Sequence, residues 1–98
     1  MDSQVKQRIY LNGKSIRSWN TFVIELKEAL CLSDTLNLKN PDVVNDVLSG
    51  GYGNLAVNEA FILHWQAFGT SKRRTPAREF QQILNALLLH GNITLERT

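Results

Sequence analysis

The stretch AFILHW, Ala60 to Trp65, most constrains what this chain can fold into. It is a compact apolar run with too few residues for a good helix, and it lacks the alternation of a strand with one wet face. The run therefore reads as a strand covered on both faces, the pattern of a parallel sheet. Parallel neighbours need crossover connections, usually helices, so the rest of the chain must supply further strands separated by helical segments.

It does. RIYLNG (Arg8 to Gly13) alternates, is rich in β-prone residues and stops at Asn-Gly, as a strand followed by a turn. Ser18 is placed to cap a helix whose apolar stripe, Trp19, Phe22, Val23, Leu26 and Leu30, runs to about Leu32. NPDVVNDVLS predicts a short second helix with Asn40 as cap and Pro41 at the first helical position. WQAFGTSK predicts a short helix ahead of a basic loop. Thr75 and Pro76 then begin a last helix with the stripe Phe80, Ile83, Leu84, Leu87 and Leu88. Gly91 is expected to end it as a left-handed cap, with His90 favoured by the dipole in its last turn. NITLE (Asn92 to Glu96) closes the chain as a strand. The expected fold class is α/β: a small three-stranded parallel sheet packed with about four helices, β-α-α-β-α-α-β.

Ninety-eight residues with 43% hydrophobic and 20% charged side chains fit one globular domain over residues 1–98, with 1–7 as a loose extension. No apolar run approaches the roughly 18 residues of a membrane span. MDSQVKQR has no apolar core of a secretory signal, and the single cysteine, Cys31, allows no intrachain disulfide. A cytoplasmic protein is expected, with no membrane partner.

Residues that carry catalysis are sparse. The chain has no nucleophile elbow, no Walker-type phosphate loop and no Cys/His set with zinc spacing, so neither an enzyme nor a cofactor or metal site is expected. His64 reads as a hydrogen-bonded structural residue within its strand, and Cys31 as a small buried hydrophobe at the end of an apolar stripe. SKRRTPAR (Ser71 to Arg78) carries four cations in eight residues and can contact phosphate or an acidic partner. Its plainer reading is a solvated loop and helix start, and direct nucleic-acid binding is not expected.

The second helix holds the one charge that folding does not ask for. At about 100° per residue, Val43, Val44, Val47 and Leu48 fall on one side, and Asp42, Asn45, Asp46 and Ser49 on the other. Asp42 suits the first turn. Asp46 lies near the carbonyl end, where a negative charge costs roughly 0.3–1 kcal/mol. The polar stripe leads into a glycine-rich loop, Gly50, Gly51, Tyr52 and Gly53.

In the order and spacing of IYLNGKSIRS, NPDVVNDVLSGG, ILHWQAF followed by SK, and HGNITLE, the chain resembles the barstar-type ribonuclease inhibitors from Ile9 to Leu95. The resemblance implies three parallel strands with helices and a stoichiometric inhibitor that plugs the active site of a ribonuclease toxin. It implies that the second helix and adjoining loop enter the enzyme's cleft, with Asp42 and Asp46 in place of phosphates and Gly50 as the loop glycine. Arginines recognise planar carboxylates and phosphates alike. Asn45 and Gly51 stand where the family places interface tryptophans, and Ala86 where it places a contacting glutamate. Thr35-Leu36-Asn37-Leu38 replaces its paired tyrosines. A toxin other than the family's familiar one is thus implied, for example the effector of a contact-dependent growth inhibition system, with Tyr52 as a displaced aromatic anchor. The alternatives are a nucleic-acid-associated regulator that uses SKRRTPAR, and an interaction module of the same fold that inhibits nothing.

Overall fold

The computed structural model describes residues 7–48, 60–88 and 93–98. Along the chain run β1 (Gln7–Asn12), a 3-10 turn (Gly13–Ser15), α1 (Trp19–Leu30), α2 (Pro41–Leu48), β2 (Phe61–Gln66), α3 (Phe68–Arg74), α4 (Ala77–Leu88) and β3 (Ile93–Arg97). The expected order of three strands and four helices is present. The strands form one parallel sheet in the order β1-β2-β3, with Ile9 opposite Leu63 and Leu63 opposite Leu95. The Gly91 cap and the His90 helix-end position lie outside the described residues.

Among the described residues, the helices cover one face of the sheet, which corrects the expectation for the central strand. Along β2, Phe61, Leu63 and Trp65 are buried while Ile62 and His64 are only half-buried. Along β1, Ile9 and Leu11 are buried while Arg8, Tyr10 and Asn12 are exposed. The near-continuous hydrophobicity of AFILHW comes from Ile62 on the other face, beside a half-buried histidine, where no helix among the described residues packs over it. The buried apolar side chains among the described residues form one core, in which Phe22, Leu26 and Leu30 of α1, Val44, Val47 and Leu48 of α2, and Ile83 and Leu87 of α4 meet the covered face.

Local chemistry explains the helix boundaries. Ser18 Oγ accepts from Thr21 N at 3.1 Å, while Thr21 Oγ1 accepts from Ser18 N at 2.9 Å, a capping box with threonine in the third position. Asn40 Oδ1 accepts from Val43 N at 3.0 Å and so starts α2 ahead of Pro41. Cys31 ends α1 in the left-handed conformation (φ 56°) and is exposed. The sequence pattern placed it in the core. The helix stops one residue before it, so Cys31 caps the stripe instead of continuing it.

Candidate functional site

Helix α2 carries the residues singled out from the sequence, and the structure divides them. Asp42 and Asp46 are both exposed, one turn apart, and Asp46 lies in the last turn of the helix. Asn45 is 8% exposed, and its Nδ2 donates to the Ala86 carbonyl of α4 at 3.0 Å. It does not share the outward stripe with the aspartates. Ser49, Gly50, Gly51 and Tyr52 lie outside the described residues.

A rotation of α2 accounts for the difference. The buried residues Val47, Val44, Leu48 and Asn45 occupy an arc from about 140° to about 300° when residues are stepped at about 100° from Asp42. The arc is centred between Val44 and Leu48, and α4 packs at its Asn45 margin, where the Asn45 amide meets the Ala86 carbonyl. Val43, at the other margin, is left half-buried. Asp46 then points almost directly away from the core. A hydrophobic count alone would centre the face on the valines. Only the position of α4 reveals that an asparagine replaces a hydrophobe at the margin and spends its amide on a helix carbonyl.

A second cluster lies on the open face of the sheet, where register places Tyr10, His64 and Glu96 side by side. His64 Nδ1 lies 3.0 Å from Glu96 Oε1 and Nε2 lies 3.2 Å from Thr98 Oγ1. Arg8 Nη2 donates to Glu96 Oε2 at 3.0 Å, and the Tyr10 and His64 rings lie 5.3 Å apart. The hydrogen bond to His64, followed by that from Arg8, holds the Glu96 carboxyl below the usual glutamate range. His64 is thus a bonded cross-strand residue, as the sequence implied, although on an open face.

The basic segment is not a loop. Lys72, Arg73 and Arg74 form the last turn of α3, where cations complement the helix dipole, and Arg78 lies in the first turn of α4. Ser71, fully buried between them and the sheet, accepts from Trp65 Nε1 at 2.8 Å and donates to the Gly13 carbonyl at 2.6 Å. A Cβ on Gly13 would stand 2.6 Å from Ser71 Oγ and 2.7 Å from Trp65 Nε1, so this glycine serves close approach. In the sequence it marked a turn.

Two clefts of about 470 and 460 Å³ flank α1, the first lined by Cys31 and Glu28, the second by Trp19 and Leu38. Neither is lined by Asp42 or Asp46. Among the described residues, no group of three or more His, Cys, Asp or Glu could hold a metal ion, and no helix is long and apolar enough to cross a membrane. No protein-family model matches the chain, and no curated protein does so either.

Proposed function

We propose that the chain is an immunity protein that binds a ribonuclease toxin and occludes its active site through the outer face of α2. The observation that carries this reading is the pair Asp42 and Asp46, exposed one turn apart on a helix whose other side is fixed in the core. A rigid helix presenting two carboxylates at that spacing offers oxygen pairs to arginines that otherwise hold consecutive phosphates. The cations of a nuclease cleft would complement the negative charge that Asp46 exposes in the last turn. The order of strands and helices supports the same reading, being that expected of barstar-type inhibitors. The loop from Gly50 to Tyr52 completes the proposed contact. The burial of Asn45 narrows the helix contribution to the two aspartates.

The test takes the protein encoded by the neighbouring reading frame as the candidate toxin. We expect a one-to-one complex by titration calorimetry and loss of RNA cleavage on its formation. Asp46→Ala should fold and weaken the complex roughly thirtyfold, the loss of an interface anchor worth about 2 kcal/mol. An Asp42→Ala/Asp46→Ala double variant that binds and inhibits like the wild type would exclude this face as the inhibitory one.

A further inference from the structure

Because the three strands are parallel, their carboxyl ends lie at one end of the sheet, and the connections that leave β1 and β2 meet there. Two hydrogen bonds between distant segments hold them together. Ser71 Oγ of α3 donates to the Gly13 carbonyl at 2.6 Å, and Trp19 N at the start of α1 donates to Glu79 Oε1 of α4 at 2.8 Å. The first joins the turn that carries Lys14 to α3, and the second joins the start of α1, two residues after Arg17, to the first turn of α4, which carries Arg78. Lys14, Arg17, Lys72, Arg73, Arg74 and Arg78 are all exposed, and residues 13–18 and 67–78 contain no aspartate or glutamate, while the carboxylate of the next residue, Glu79, accepts from Trp19 N. The end of β3 joins the same rim, where Phe68 N donates to the Thr98 carbonyl at 3.3 Å and the Arg97 guanidinium lies 5.4 Å from the Phe68 ring centroid. A basic stretch that looks local in sequence is thus the middle of a larger cationic rim.

That rim adjoins the open sheet face. Tyr10, 54% exposed, stands two residues before the end of β1 and four before Lys14, with the His64 ring alongside. Among the described residues, the carboxylate on this face is Glu96, and it is already bonded to Arg8 and His64.

We propose that the cationic rim and the open face together bind single-stranded nucleic acid, the rim neutralising phosphates and Tyr10 stacking on an unpaired base. Four of the six rim cations are arginines, whose planar forks match phosphate oxygens. An aromatic ring exposed on a sheet face beside a cationic track is the combination by which sheet-based modules hold unpaired strands, and a duplex offers no free base to stack. The Asp42–Asp46 face takes no part, so this proposal stands apart from toxin binding.

The experiment is fluorescence anisotropy of a short fluorescein-labelled oligouridylate titrated with the full chain at several salt concentrations. The expected result is binding whose logarithm falls linearly with log salt, with a slope of roughly −0.7 per phosphate neutralised and up to about −4 for six. Lys72→Glu/Arg73→Glu/Arg74→Glu should abolish binding. Lys14→Glu/Arg17→Glu should weaken it at least tenfold, although these residues lie outside the basic stretch. Tyr10→Ala should weaken it roughly tenfold with the salt slope unchanged. Circular dichroism checks that each surface variant is folded, and Asp42→Ala/Asp46→Ala should bind the oligonucleotide as the wild type does. Absence of salt-dependent binding, or binding indifferent to Lys14→Glu/Arg17→Glu, would overturn the proposal. So would competition by polyglutamate equal to that by unlabelled oligouridylate, which would mark an acidic protein surface as the partner, or equal affinity for a blunt duplex.

Discussion

The Ser71 hydroxyl donates to the carbonyl of Gly13 at 2.6 Å, and Gly13 has room for no side chain. This one contact locks α3 onto the turn after β1 and satisfies the buried indole of Trp65 at the same time. Gly13→Ala should therefore cost roughly 1–3 kcal/mol through overpacking. Ser71→Ala should cost a similar amount, because it leaves the Trp65 Nε1–H buried without its acceptor. Urea unfolding followed by tryptophan fluorescence measures both, and a change below about 0.5 kcal/mol in either would contradict the close-packed geometry.

Thr75 ends α3 with its hydroxyl buried and without a hydrogen-bond partner. Thr75→Val keeps the shape and removes a hydroxyl that gains nothing from its burial. The variant should be more stable by about 1 kcal/mol, read as a higher urea midpoint at unchanged slope.

Asn45 separates a structural role from a binding role on α2. Asn45→Ala should destabilise the fold by about 1–3 kcal/mol, since its amide bridges α2 to the Ala86 carbonyl. Once folded, it should bind a toxin with unchanged affinity, whereas Asp46→Ala should do the reverse. Calorimetry and denaturation on the two variants give this crossed pattern or refute it.

Two glutamates should give stability opposite dependences on pH. Glu96 is held low by His64 and then by Arg8, so its ionised form favours the fold. That contribution is complete above the ordinary glutamate value and is lost as pH falls through the lowered folded value. Glu25 is pushed up by burial, and further by Glu28, so folding favours its protonated form. Its contribution is complete below the ordinary glutamate value and is lost as pH rises through the raised folded value. Glu96→Gln should thus be less stable than the wild type at neutral pH, and Glu25→Gln more stable, with both differences shrinking in acid. Denaturation midpoints at neutral and acidic pH check the signs.

The sequence pattern conveyed the element order well, because caps and stripes are local: Ser18, Asn40 and the period of Phe80, Ile83 and Leu87 each mark a boundary or a face from nearby residues alone. It failed where the answer depended on a distant neighbour. AFILHW gave no sign that one side of its strand stays open, since Ile62 reads as core whether or not a layer covers it. The stripe on α2 placed Asn45 outward because the side on which α4 docks is not written in α2 itself. For the same reason Lys14 and Arg17 remained apart from the basic segment until the Gly13–Ser71 and Trp19–Glu79 contacts joined them.

The pairing of β1 with β2 also sets an order of events during synthesis. Gln7 pairs with Phe61 and Asn12 with Gln66, so the first strand waits for more than half the chain before its partner exists. Until then the apolar side of β1, Ile9 and Leu11, has no strand beside it, and the apolar stripes of α1 and α2 lack the central strand of the sheet they pack on. Closing that long loop is the entropic step that must precede the sheet. Synthesis therefore delivers β1, α1 and α2 before the strand that lets them bury one common face.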